Sequence, residues 1–155
     1  MFEPRPTDYR GIKFKSKSEA IMARSLDLEP TILAWEYEPT PFKLDDGWIP
    51  DFWFIWRYKE PGVKSAFIEY KPSEPTNVYI NELKIRYLKL DKKTPDLSNL
   101  LLIYGSPFDV HLKRSIIEYD KVEKGLQARE VVDFDFIIRK WDEAKQYRFD
   151  LINHN

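Results

Sequence analysis

Ile49-Pro-Asp-Phe-Trp-Phe-Ile-Trp56 and Ala66-Phe-Ile-Glu-Tyr-Lys-Pro72 are the two stretches on which the reading of this chain turns. The first is apolar on both faces apart from Asp51, and the second is a β-prone run that Pro72 stops. Each carries one carboxylate among apolar residues, Asp51 in the first and Glu69 in the second. Such a carboxylate is costly to bury unless it is paired or bound to a metal. Side chains two apart on a strand share a face, so Glu69 and Lys71 project together while Ile68 and Tyr70 point the other way. If the two runs pair as neighbouring strands, Asp51 joins Glu69 and Lys71. Two carboxylates beside one lysine make an oxygen-ligand site for a hard divalent cation, with an ammonium near enough to orient a water.

A third carboxylate has the same oddity. Residues 16 to 28 lack proline and glycine, begin with serines that can cap, and place Glu19, Met22, Ala23 and Leu26 at helical spacing. That spacing predicts a helix with a glutamate on its apolar stripe. Nine of the eleven prolines fall in the first 75 residues, so short strands and turns are expected there and longer helices later. Ile32 to Tyr37 and Phe42 to Leu44 read as strands, Asp45-Asp-Gly47 and Glu60-Pro-Gly-Val63 as turns, and 77 to 90 as a helix carrying Ile80, Leu83, Tyr87 and Leu90. A short buried strand, Leu100 to Tyr104, follows it, which suggests a crossover onto the sheet. Ser115 to Tyr119 and Glu130 to Val132 read as edge strands, and the stripe Phe134, Ile137, Ile138, Trp141 and Ala144 as a closing amphipathic helix over 134 to 149. The whole chain, 1 to 155, is expected to form one α/β (α+β) domain around a mixed sheet.

Composition narrows the chemistry further. The 155 residues include 25 Lys and Arg, 26 Asp and Glu, and no cysteine, which excludes disulfides, Cys-rich zinc sites, iron–sulfur clusters and thiol nucleophiles. The N-terminal segment lacks a secretion-signal core and no apolar run approaches ~20 residues, so a cytoplasmic protein without membrane contact is expected. The charges are uneven: net +3 over residues 1 to 17, −6 over 27 to 51, and +4 over 57 to 93. A basic rim around an acidic centre suits a metal-dependent enzyme that attracts phosphates.

The ordered set of Glu19 within Ser16-Lys-Ser-Glu-Ala20, then Trp35-Glu-Tyr-Glu-Pro39, Pro50-Asp-Phe52 and Glu69-Tyr-Lys-Pro72 resembles the PD-(D/E)XK nuclease superfamily, in particular its small phage and bacterial members. The likeness covers about residues 9 to 105. It implies a restriction-endonuclease-like mixed sheet flanked by helices, with an αβββαβ core and an additional C-terminal helix. It implies that Asp51 and Glu69 ligate Mg²⁺, which Mn²⁺ would replace, with help from the Tyr70 carbonyl and from Glu19. Lys71 would position the attacking water. The expected activity is DNA phosphodiester hydrolysis, structure-selective or weakly sequence-specific, by a monomer or a homodimer in a cytoplasm, the host's if the protein is phage-encoded. No small-molecule cofactor is expected. Tyr70 stands where a small apolar residue is commoner, and Ser18 where an apolar residue often sits. The reading from another class is a non-catalytic DNA-binding or assembly module that keeps the fold.

Single motifs carry little of this. E-x-K occurs three times, and Glu82-Lys84 and Glu143-Lys145 lie on expected helices, where side chains two apart diverge. Pro95-Asp96 sits in a polar turn with no strand behind it. Arg10, Lys13, Lys15, Lys17 and Lys84 are the candidate DNA contacts, Lys84 as an auxiliary phosphate cation or as a lysine that only snorkels past an apolar edge. His111 and His154 are too few and too far from these motifs for a zinc hydrolase.

Overall fold

The computed structural model describes residues 5–58, 62–93, 99–109, 111–122, 125–130 and 134–151. Its centre is a six-stranded sheet in the order β3-β4-β5-β6-β7-β8, built from β3 (Ile32–Tyr37), β4 (Phe52–Tyr58), β5 (Gly62–Lys71), β6 (Asn99–Tyr104), β7 (Ser115–Val122) and β8 (Gly125–Glu130). All neighbours are antiparallel except β5 and β6, which run parallel. A parallel pair cannot be closed by a hairpin, and helix α2 (Asn77–Lys93) makes the connection. A small second sheet, in the order β2-β1-β9, joins β1 (Thr7–Tyr9), β2 (Ile12–Phe14) and β9 (Asp150–Leu151).

Strand β6 and the C-terminal half of β5 are apolar on both faces because both faces are covered. Ala66, Ile68 and Tyr70 of β5, with Leu101 and Ile103 of β6, pack toward helix α1 (Lys17–Leu28) and the two short helices α3 (Asp135–Arg139) and α4 (Trp141–Ala144). Phe67 of β5, with Leu100, Leu102 and Tyr104 of β6, packs on the opposite side under Leu83, Tyr87 and Leu90 of α2. The alternation of a pleated strand divides one run between two cores. Ser16 caps α1, its hydroxyl accepting the Glu19 amide at 3.2 Å. Ala20, Ile21, Met22, Ala23 and Leu26 bury the inner stripe.

From α1 to β6 the order is αβββαβ, within a mixed α/β architecture. Several expectations need correction. Phe42 to Leu44 is no strand: a 3₁₀ turn occupies Thr40–Phe42, because Pro39 and Pro41 restrict φ and supply no amide to a ladder. For the same reason β4 starts at Phe52, after Pro50, and leaves Asp51 just outside it. The segment at 115 lies between β6 and β8 and is not an edge. Residues 59–61 and 131–133, in the expected turn and last strand, lie outside the described residues. The closing helix is two short helices broken at Lys140, whose amide bonds to the carbonyls of Phe136 and Ile138. Phe134, Ile137, Trp141 and Ala144 are nonetheless buried together, since an apolar stripe reports a buried face and not helical continuity. Among the described residues, no helix is long and apolar enough to cross a membrane.

Gly105 ends β6 at a φ of +122°, and a Cβ there would lie 2.8 Å from Arg114 Cγ and 2.9 Å from its Cα. Gly105→Ala is therefore expected to lower the unfolding free energy by ~1–3 kcal/mol. Urea unfolding checks this; an unchanged midpoint and slope would contradict it.

Candidate active site

The register of β4 and β5 brings the two unusual carboxylates together. Phe52 pairs with Ile68 in an antiparallel ladder, so one step earlier on β4 lies level with one step later on β5, and Asp51 meets Glu69. Asp51 is tied to both neighbours of its strand. Its Oδ2 accepts the Tyr70 amide at 2.7 Å, and its carbonyl accepts the Glu38 amide at 2.8 Å. Glu69 is only 3% exposed, and its Oε2 accepts from Trp48 Nε1 at 3.1 Å and from the Tyr79 hydroxyl at 2.7 Å. The two carboxyl groups lie within hydrogen-bonding reach of each other. Burial first, and the charge of Glu69 second, raise the Asp51 pKa well above the usual carboxylate range.

Lys71 shares the Glu69 face of β5, and its Nζ stands 4.7 Å from the centre of the Tyr79 ring. Tyr79, in the first turn of α2, thus touches both functional ends of the E-x-K strand. Glu19 is also buried and accepts from the Ser16 hydroxyl at 3.3 Å and the Tyr37 hydroxyl at 3.2 Å. Burial raises its pKa, against the opposing hydrogen bond of Tyr37, and its charge adds to the upward shift of Asp51. Glu19, Asp51, Tyr70 and Lys71 border one cleft of about 400 Å³, together with Lys15 and Ser16.

The donor set suits a hard divalent cation. Asp51 and Glu69 offer oxygen ligands only, and two carboxylates forced together are what such a cation relieves. Among the described residues, no group of three or more His, Asp or Glu side chains is gathered closely enough to hold a metal ion by itself. Two carboxylates are sufficient for Mg²⁺, which keeps several waters and takes its remaining oxygens from a phosphate. Glu19 stands at the cleft with its carboxylate engaged by Ser16 and Tyr37.

The basic candidates divide. Lys15 borders the cleft and pairs with Glu38 at 3.1 Å, and Lys17 opens α1 beside it. Arg10 instead pairs with Asp27 at 2.9 Å, about 12 Å further along the α1 axis than Glu19. Lys13 lies on β2 opposite Asp8. Lys84 rests its Nζ 5.8 Å from the ring of Tyr119 on β7, two strands from Glu69. Trp48, Tyr79 and Tyr37, the donors to the carboxylates, escaped the sequence reading. The only signal for them is chemical: Tyr and Trp combine an apolar body with a polar tip, and buried carboxylates need such donors.

The strained pair has a consequence for stability. A carboxyl whose folded pKa is raised contributes stability that is complete below its ordinary value, about 4, and is lost as pH rises through the folded value. Asp51→Asn removes this titration while its amide oxygen still accepts the Tyr70 amide and its NH₂ donates to Glu69. In EDTA the variant is expected to melt above the native protein, by about 2–4 °C for each kcal/mol relieved, with a gap that widens from pH 4 to pH 8. Equal melting temperatures across that range, followed by circular dichroism, would contradict it. No family model, no curated protein and no solved structure matches this chain.

Proposed function

We propose that this chain is a metal-dependent endonuclease of the PD-(D/E)XK type, with a restriction-endonuclease-like fold, that hydrolyses DNA phosphodiester bonds. The observation that carries the reading is the contact between the Asp51 and Glu69 carboxyls, with Lys71 two residues along on the same strand face. Asp51 and Glu69, with the Tyr70 carbonyl, would hold Mg²⁺ or Mn²⁺. When bound, the ion supplies charge to a phosphoryl oxygen and acidifies a water. The Lys71 ammonium positions that water and offsets charge developing on the phosphorus oxygens. Glu19 would add a further carboxylate at the cleft, supporting the ion directly or through water. Lys15 and Lys17, at the cleft, attract the DNA backbone.

Tyr79 and Trp48 both donate to Oε2 of Glu69 and so fix the orientation of its carboxylate, as outer partners of metal ligands generally do. One such site per chain nicks one strand, and cutting both strands calls for a symmetric dimer. Structure-selective or weakly sequence-specific cleavage, in a cytoplasm, is part of the same proposal.

The test is incubation of the purified protein with Mg²⁺ or Mn²⁺ and linear, single-stranded, nicked and branched DNA. Metal-dependent cleavage is expected, with Asp51→Ala and Lys71→Ala each slowing it by about 10²-fold or more. Cleavage that survives both substitutions would overturn the site. Absence of cleavage on every substrate would overturn the enzyme reading in favour of a binding module.

A further inference from the structure

The loop from β6 to β7 starts where the E-x-K strand ends. Gly105 donates its amide to the Lys71 carbonyl at 3.0 Å, and its own carbonyl accepts the Tyr70 hydroxyl at 2.6 Å. The loop is braced from within. Arg114 donates to the carbonyls of Ser106 at 3.1 Å and Pro107 at 3.3 Å while its guanidinium lies 5.4 Å from the Trp141 ring. Ser106 accepts the Phe108 amide, and Asp109 accepts that of His111. Despite this bracing, Phe108 is 47% exposed and Leu112 is 42% exposed.

The surroundings indicate what they meet. Lys17, the first residue of α1, places its Nζ 5.7 Å from the Phe108 ring, and its chain neighbours Ser16 and Ser18 border the cleft. Lys113 is exposed on the same loop. Phe108 therefore stands next to an ammonium whose chain neighbours border the cleft, on a loop that also carries the exposed Lys113. That combination fits a polyanion with flat apolar units: phosphates for the lysines, a base for the phenylalanine. A pre-ordered aromatic also loses little freedom when it stacks.

We propose that this loop is a nucleic-acid contact surface, in which Phe108 stacks on an unpaired or splayed base while Lys17 and Lys113 hold the flanking phosphates. The proposal rests on the nuclease reading and names its substrate class: DNA with unpaired bases next to the phosphate in the cleft, such as gaps, flaps and branches. Duplex bases are already stacked, and opening them costs a few kcal/mol per step. Phe108 accordingly sets a preference among DNA structures and leaves the chemistry to the cleft.

The test uses the full chain in EDTA, where metal-dependent cutting cannot interfere, with fluorescence anisotropy on a gapped DNA and on a continuous duplex of the same sequence. The native protein is expected to prefer the gapped DNA. Phe108→Ala should reduce that preference about tenfold, within the range of losing one base stack, and Phe108→Tyr should restore it. Lys17→Ala with Lys113→Ala should weaken both complexes alike and flatten their salt dependence. A Phe108→Ala protein that keeps the native circular dichroism and the native preference overturns the proposal, as does a native protein that binds neither DNA. Phe108-dependent binding without cleavage in Mg²⁺ overturns the nuclease reading alone. Cleavage indifferent to Phe108 on gapped and continuous DNA overturns the contact surface alone.

Discussion

The backbone holds the Asp51 and Glu69 carboxyl groups against one another, and much of the rest of the molecule is arranged around that contact. The ladder that pairs Phe52 with Ile68 fixes the two positions, and the Tyr70 amide fixes the Asp51 oxygen that faces β5. Charge repulsion and desolvation both oppose this arrangement, as the raised pKa of Asp51 records. It persists because neutral donors are brought from elsewhere: Trp48 from the turn after Asp46, Tyr79 from α2, and Tyr37 from β3 for the nearby Glu19. A protein that keeps such a contact gives up stability locally, which is the usual signature of a functional site.

The positions of the carboxylates were legible in the sequence because strand periodicity is strict. In an apolar run with one carboxylate the two-residue period still says which neighbours share that carboxylate's face, and two such runs separated by a short turn pair with each other. The parallel step from β5 to β6 was legible for a related reason, since a helical stripe stood between two apolar strands. The helix at Glu19 was marked by its serine cap. What escaped was contact across the sequence. Trp48 and Tyr79 reach Glu69 from 21 and 10 residues away, and neither spacing belongs to any regular period. The small sheet of β1, β2 and β9 escaped as well, because strands of two or three residues are too short to alternate. The break at Lys140 leaves the apolar stripe intact, so periodicity alone reads it as one helix.

The near-neutral sum of charges conceals a separation that the fold makes spatial. Asp51 and Glu19 line the cleft with Lys15 and Lys71, Glu69 lies against Asp51, and Lys17 opens α1 between the cleft residues Ser16 and Ser18. Arg10, equally basic in sequence, is spent on Asp27 at the far end of α1. Counting charges along the chain finds the rim; only placement in the fold separates Lys15, which lines the cleft while paired with Glu38, from Arg10 at the far end of α1.

The proposed role of the Asp51 and Glu69 pair is to hold a divalent cation. Titrating Mn²⁺ into the purified chain and following free Mn²⁺ by electron paramagnetic resonance tests it without reference to any substrate. Saturable binding at one or more sites per chain is expected, weakened about 10-fold or more by Asp51→Asn even though that variant keeps its fold. Absence of binding up to millimolar Mn²⁺, or equal binding by the native and Asp51→Asn proteins, would contradict it.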